Sequence, residues 1–336
     1  MLNKKRILIT GGTGFFGTNF AKYLLKYYSP EKIIIFSRDE TKQYEMEKLI
    51  KNKKLKFFIG DVRDLDRLKY ALREVDIVVH AAALKHVPAA EYNPTECIKT
   101  NILGAQNIID ATIDYNSNVK KVVALSTDKA VNPVNIYGAS KLAADKLFVA
   151  ANNYKGKKNI KFSVIRYGNV LESRGSVIPL FLELKKNGSK YLPVTHKDMT
   201  RFFITVEDGI KLVIQGINNM RGGEIFIPKI PSFKIIDLAK AIHPKAKIKI
   251  VGVRSGEKIH ETLLSEDEFE NIIEFKKYFT IVPKIGPFGK KLDLFYKNIN
   301  NEIGKKIQNS FSYNSKNNRD FLDISGIKKY LNFSEN

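Results

Sequence analysis

This sequence predicts an α/β fold: a doubly wound parallel sheet followed by a smaller C-terminal region. Three observations predict it. Short apolar runs alternate with helix-length segments through the first half. The runs are nearly continuous in Val, Ile, Leu and Phe, as strands covered on both faces are. A glycine-rich turn follows the first of them. At 336 residues, 43% hydrophobic and 27% charged, the chain is long enough for such a sheet and a second region, and too apolar to be disordered.

The first strand is predicted at Arg6–Thr10, "RILIT". The basic pair before it lacks a signal-peptide core and cleavage site, so the N-terminus reads as the lead into that strand. "GTNFAKYLLKYY" then carries a helical pattern. Further strands are predicted at Lys32–Arg38, Leu55–Val62, Asp76–Ala83, Lys120–Ser126 and Ile160–Tyr167. Before the fifth lies a long helical stretch, "NPTECIKTNILGAQNIIDATIDY". Strand, helix, strand, repeated, is the signature of a parallel sheet with helices on both faces. Past Gly168 the rhythm loosens into short elements separated by Pro and Gly, among them "SVIPLFLELKKNG", "GEIFIP" and "KIKIVGV". The chain therefore divides into 1–170, with part of 200–228 returning to the sheet, and a second region of 171–199 and 229–336. The polar run "QNSFSYNSKNN" near residue 308 reads as loop.

Composition excludes several classes. One cysteine, Cys97, permits neither an internal disulfide nor a thiol metal cluster, and it fits a reducing cytoplasm. No metal site is predicted. No apolar run approaches the roughly 18 residues of a membrane helix. The formal charge of +22 raises nucleic acid or an anionic membrane as partners. The lysines, however, are spread ("KNKKLK", "KGKK", "KAKIK") and do not alternate with aromatics as a single-strand groove would. A solvated Lys-rich surface is the favoured reading, with no nucleic acid and no membrane as partner. Such a surface would attract a substrate carrying phosphates.

The glycine turn "ITGGTGFFGTNF" contains Gly12-x-Gly14-x-x-Gly17 and, one residue earlier, Gly11-x-x-Gly14-x-x-Gly17, with Thr13, Phe15 and Phe16 between the glycines. Glycines here allow a tight turn and close backbone approach to a pyrophosphate, and a helix N-terminus supplies free N–H groups. In a strand-turn-helix setting this predicts a Rossmann-like dinucleotide site. The second strand ends in Ser37 and Arg38, with Lys42 beyond; cations there accept a 2′-phosphate, which favours NADP. Asp39 leaves NAD open, since a one-residue shift of register would put a carboxylate on the ribose. Asp61 and Val62, in "GDVRD", end the third strand at a place that resembles the one where short-chain dehydrogenases hold the adenine, with Asp61 as acceptor. Ala81, Ala82 and Ala83 end the fourth; being small, they leave room for ribose and nicotinamide.

"STDKAVNPVNIYGASK" carries the chemistry. Tyr137 and Lys141 are four apart on one helix face. An ammonium near a phenol favours the phenolate, so Tyr137 can act as a base. Asp128 and Lys129 follow the fifth strand at the sheet's carboxyl edge, where ligands of open α/β sheets bind. They are two more proton carriers than alcohol oxidation needs, although paired loop charges are often only solvated.

These motifs resemble the extended short-chain dehydrogenases that act on nucleotide sugars. With "AALKHVPAAEYNPTECIKTNI", "RYGNV", "SRGSVIP", "MTRFFIT", "GGEIFIPKIPS", "SGEKIHE" and "YNSKNNRDFL", the chain more narrowly resembles the inverting UDP-N-acetylglucosamine 4,6-dehydratases of pseudaminic acid synthesis. The resemblance implies a tightly bound, recycled NADP, a UDP-N-acetylglucosamine substrate and a homo-oligomer such as a hexamer. It implies roles as well. Thr127 hydrogen-bonds the sugar's 4-oxygen and Tyr137 removes the 4-hydroxyl proton. Lys129 takes the proton from carbon 5, and Asp128 protonates the departing 6-hydroxyl. Lys85, Asn169 and Val170 contact cofactor or sugar. Thr195, Met199, Arg254 and Glu257 line the nucleotide-sugar site. Lys129 as base must be neutral, which implies a lowered pKa. Glu172 departs from the pattern, standing where a glycine is expected before Ser-Arg-Gly. Retaining, membrane-anchored relatives replace the Tyr by Met, which this chain does not. Plain 4-epimerases and dehydratase/5-epimerases remain rival readings, as does a silent fold that binds RNA.

Overall fold

The computed structural model describes residues 2–114, 116–171, 173, 175–283 and 292–331. In chain order, β1 (Arg6–Thr10), α1 (Phe15–Tyr27), β2 (Lys32–Ser37), α2 (Glu40–Ile50), β3 (Leu55–Ile59), α3 (Leu65–Ala71) and β4 (Ile77–His80) form the first half of the wound sheet. Then come α4 (Val87–Tyr92), α5 (Pro94–Ile98), a π-turn at Lys99–Leu103, α6 (Gly104–Ile113), β5 (Lys121–Thr127), a 3₁₀ turn at Asp128–Ala130, α7 (Ile136–Tyr154) and β6 (Lys161–Tyr167). The parallel order is β3-β2-β1-β4-β5-β6. It reverses between β1 and β4, and the crevice at that switch point is where such sheets bind ligands.

The strands are buried because both faces are covered. Ile7, Leu8 and Ile9 of β1 and Val122 and Val123 of β5 have no exposed surface. Each such side chain contributes about 1.5–3 kcal/mol by leaving water.

The second half continues with β7 (Asn169–Val170), α8 (Val177–Lys186), β8 (Tyr191–Val194), β9 (Thr200–Ile204), α9 (Val206–Asn219) and β10 (Ile225–Pro228). β10 adds to β6 in parallel, and strands at Tyr278–Ile281, Ile272–Glu274 and Lys305–Lys306 extend the same sheet antiparallel. The main sheet thus runs on into residues beyond 229. A second core packs apart from it, with Ile178, Phe181, Leu192, Phe233, Leu238 and Ile327 among its members. Phe203 and Phe233 stack there at 4.2 Å between centroids.

Three expectations need correction. The helical stretch 93–115 is not one helix: a π-turn interrupts it at Lys99–Leu103 before α6 resumes at Gly104. A Cβ at Gly104 would lie 2.8 Å from the Val62 side chain, so this helix approaches the turn after β3 more closely than a larger residue permits. Secondly, "QNSFSYNSKNN" is not simply loop: Tyr313–Asn314 pairs with Thr262–Leu264, and Ser315 is fully buried. Ser315 goes inside because it has partners there, the Thr200 hydroxyl and the Glu261 N–H. Thirdly, the predicted strands are one to three residues too long at several ends. Glu172 lies outside the described residues.

Candidate active site

The turn after β1 is built by its glycines. Gly11 has φ +62°, and a Cβ there would meet the Ala82 Cα at 2.9 Å. A Cβ on Gly17 would lie 2.6 Å from the Gly12 Cα. Gly14 caps α1 without a side-chain partner, so the N–H groups of the first turn remain available to a ligand. Thr10 fixes the wall opposite. Its Oγ1 accepts the Ala82 N–H at 3.2 Å and sits 2.8 Å from Nδ1 of His80. His80 is fully buried, and that burial, with the charge of Lys141, pushes its pKa down to about 3. A backbone cradle open to an anion beside small alanines fits a dinucleotide pyrophosphate.

At the end of β2, Ser37 accepts a hydrogen bond from Gln43 at 3.0 Å. Asp39 is committed elsewhere: it caps α2 by accepting from Lys42 N at 3.0 Å and pairs with Lys42 Nζ at 2.6 Å. Arg38 stands 3.7 Å from Asp61. Burial pushes the Asp61 carboxyl up, but two hydrogen bonds from the Arg63 guanidinium (2.9 and 2.6 Å) outweigh it and hold the group below the usual range.

The candidate proton carriers converge at the end of β5 and the start of α7. Asn135 caps α7, accepting from Gly138 N at 2.7 Å, and so starts the helix two residues before Tyr137. Burial pushes the Tyr137 phenol up to about 12, opposed by the charge of Lys129 and a hydrogen bond with Thr127. Lys141, buried one turn on, donates to the Leu125 carbonyl at 2.6 Å, and burial lowers its pKa. Thr127 donates to Asp128 Oδ1 at 2.9 Å. Lys129 Nζ lies 3.0 Å from Asp128 Oδ1, 3.3 Å from Asn169 Oδ1 and 3.3 Å from Glu261 Oε1. Burial disfavours the ammonium, but the two carboxylates override it and raise the pKa. This corrects the expectation of a lowered value: Asp128 and Glu261 stand against the ammonium and outweigh both burial and the nearby Arg201.

A single cleft of about 1060 Å³ gathers the predicted residues. Gly11, Thr13, Gly14, Phe15, Phe16 and Gly17 line one end with Ser37, Arg38, Lys42, Asp61 and Val62. Ala81, Ala82, Ala83, Lys85, Thr127, Lys129, Tyr137, Lys141, Asn169 and Val170 line the middle. Thr195, Met199, Arg254 and Glu257 line the far end. Asp128 is fully buried just behind the surface. Two of the far residues are also occupied otherwise. Met199 packs into the second core and accepts from Thr195 at 3.0 Å; Glu257 pairs with Arg201 at 3.3 Å.

Sequence reasoning missed four participants. Asn101, on the π-turn, brackets the Leu84 backbone (2.8 and 2.9 Å) and donates to Ser140 at 2.9 Å; Ser140 in turn donates to the Tyr137 carbonyl at 2.7 Å. Arg201, Lys258 and Glu261 complete the charge cluster around Lys129. "SGEKIHE" marked the segment holding Lys258 and Glu261 but not which carboxylate faces inward. Among the described residues no helix is long and apolar enough to cross a membrane, and no group of metal-ligating side chains occurs.

Known proteins resemble this chain throughout. The family described as "Polysaccharide biosynthesis protein" matches residues 7–283. The inverting UDP-N-acetylglucosamine 4,6-dehydratase of Campylobacter jejuni (strain 81-176) is 55% identical over 335 residues, covering 100% of this chain and 99% of its own. A protein of Rickettsia akari named UDP-glucose 4-epimerase is 42% identical, covering 98% of this chain and 96% of its own. Among solved structures, Pen from Bacillus thuringiensis superposes with a TM-score of 0.87 at 34% identity, over 99% of both chains. DesIV, a dTDP-glucose 4,6-dehydratase from Streptomyces venezuelae solved with NAD bound, shares the fold at TM-score 0.67 and 23% identity, over 76% of this chain and 86% of its own. The chain belongs to the polysaccharide biosynthesis protein family and, within it, to the inverting UDP-N-acetylglucosamine 4,6-dehydratases.

Proposed function

We propose that this chain converts UDP-N-acetylglucosamine to UDP-2-acetamido-2,6-dideoxy-β-L-arabino-hex-4-ulose, expelling water and inverting carbon 5, as the opening step toward pseudaminic acid or a related surface sugar. The observation that carries the reading is the meeting of two proton-moving pairs at one cleft: Tyr137 and Lys141 line it together with Lys129, and Asp128 stands 3.0 Å behind Lys129. Oxidation at carbon 4 needs the first pair. Elimination across carbons 5 and 6 needs the second.

A bound nicotinamide dinucleotide, NADP because Arg38 can meet a 2′-phosphate, supplies the hydride acceptor for carbon 4 and the hydride donor for carbon 6. The residues do the rest. Thr127 holds the 4-oxygen and Tyr137 takes its proton, helped by the charge of Lys129, which opposes the upward push of burial on the phenol. The new ketone acidifies the proton on carbon 5. Lys129 rests as an ammonium, so its proton must leave first. Asp128, 3.0 Å away, is the nearest acceptor. That one transfer makes both partners competent: an amine to take the carbon 5 proton and a carboxylic acid to protonate the departing 6-hydroxyl. A proton from water then returns to carbon 5 on the face opposite Lys129, which inverts the centre, and Tyr137 gives its proton up to water, which closes the balance. Lys85, Asn169 and Val170 hold sugar or cofactor. Arg254 suits the pyrophosphate, since a guanidinium presents fixed paired donors. The smaller core serves the nucleotide-sugar end of the cleft.

Incubation with UDP-N-acetylglucosamine and NMR of the product tests this. Loss of water with inverted carbon 5 is expected; an epimer with its 6-hydroxyl intact would sink the reading. Epimerisation at carbon 4 is the second reading, favoured by the relative named UDP-glucose 4-epimerase, and the same spectrum decides it.

A further inference from the structure

Lys129 has a second carboxylate at hand that the proton transfers leave unused. Glu261 is 2% exposed, and its Oε1 lies 3.3 Å from Lys129 Nζ. Its Oε2 is buried without a hydrogen-bond partner. Arg201 Nε stands 3.8 Å from Oε1, and Lys258 Nζ 3.9 Å from Oε2. A carboxylate with an unsatisfied buried oxygen is costly, and such groups persist where they have a task.

The placement of Glu261 is built. Its backbone N–H donates to Ser315 Oγ at 2.9 Å, and its carbonyl accepts from Ser315 N at 2.8 Å. Ser315 Oγ is 2.7 Å from Thr200 Oγ1, which is 2.9 Å from Nδ1 of His260. A polar segment near the C-terminus thereby reaches the elimination pair through one residue.

We propose that Glu261 is a positioning residue for the elimination, holding Lys129 Nζ beside Asp128 and setting the pH at which that amine can take a proton from the sugar. The proposal rests on the dehydratase reading for its catalytic consequence. The groups facing Lys129 are Asp128 and Glu261, which favour its ammonium, and Arg201 and Lys258, which oppose it; the phenol of Tyr137 and the amide of Asn169 complete the shell. Lys129 acts as a base only when neutral. That neutral form arises when the proton passes to Asp128, so the pair works with one proton between them and fails with two; the charge of Glu261 favours the second proton and therefore places the acid limb of turnover at higher pH, and removing that charge must move the limb down. Asp128, closer and on the same turn, remains the proton acceptor.

Glu261→Gln keeps the shape and an oxygen facing Nζ but removes the charge. Its acid limb for kcat should fall by about 1 pH unit or more, the effect of one opposite charge at this range. A merely structural residue would lower kcat and leave the limb in place, which would overturn the proposal. Should Glu261→Gln not fold, Glu261→Asp decides: it keeps the charge but withdraws it, so the limb must move the same way by less, and an unmoved limb overturns the proposal. A second readout needs no turnover. Amine-selective labelling of Lys129 across pH, followed by mass spectrometry, should begin at lower pH in the variant than in the parent; identical onsets would overturn the proposal. If UDP-N-acetylglucosamine is not dehydrated at all, the functional reading fails, while the labelling still decides the role of Glu261 by itself.

Discussion

His80 shows how much one side chain can decide. Its pKa of about 3 in the fold lies below the ordinary 6.5, because burial penalises the charged ring. The fold therefore favours the neutral form. Above pH 6.5 this has no consequence; as pH falls below 6.5, stability is lost until about pH 3. By pH 5 the loss is about 2 kcal/mol. His80→Asn cannot titrate, so thermal or denaturant unfolding at pH 7 and pH 5 should show the gap between parent and variant shifting by that amount toward the variant. A constant gap would refute the assignment. For catalysis, Tyr137→Phe should lower turnover by about 10²- to 10⁴-fold while dinucleotide binding, measured by calorimetry, survives. Tyr137 and Lys141 were legible in the sequence because both lie on one helix, where spacing fixes their face. Glu261 was not, because it reaches Lys129 from a distant segment, and no local pattern distinguishes it from Glu257.

Among the elements, α7 carries the site, and its first turn is tied in two directions. Asn135 accepts from Gly138 N at 2.7 Å and donates to the Gly256 carbonyl at 2.7 Å, joining the catalytic helix to the segment that bears Arg254 and Glu257. Gly256, at φ +73°, leaves room for that bond: a Cβ there would stand 2.9 Å from Asn135 Cβ. Asn135→Ala should cost about 1 kcal/mol from the lost cap. It should also raise the KM for the nucleotide sugar. Asn135→Asp keeps the capping oxygen and loses the donor, so stability should return while KM stays high; recovery of both would remove the tie. The strands were legible from their apolar runs, and α1 and α7 from their periodicity. The π-turn at Lys99–Leu103 was not. "CIKTNILG" reads as ordinary helix, and what distorts it is Asn101 reaching across to the Leu84 backbone, a tertiary contact.

For the whole molecule, one buried cation joins the parallel sheet to the C-terminal half. Arg166, at the end of β6, is 1% exposed. It stands 3.6 Å from Asp145 of α7, 3.2 Å from Glu268 and 3.1 Å from the Leu263 carbonyl. Arg166→Met would strand Asp145 without its counter-charge and should cost about 3–5 kcal/mol. Arg166→Met with Asp145→Leu should recover much of that, because an apolar pair leaves no buried charge. If the double variant is no more stable than the single, the cost lies elsewhere. The fold class was legible at this scale, since alternating runs dictate a parallel sheet. The antiparallel extension at Ile272–Glu274 and Tyr278–Ile281 was not, because these strands are short and follow no repeating unit.

The division of labour between a three-residue turn and the helix after it has an evolutionary reading. Asp128 and Lys129 sit on the turn; Tyr137 and Lys141 sit on the helix. In the proposed mechanism, two adjacent codons therefore carry the breaking of the carbon–oxygen bond, apart from those that carry the oxidation. A lineage could gain or lose the first of these trades without rebuilding its scaffold.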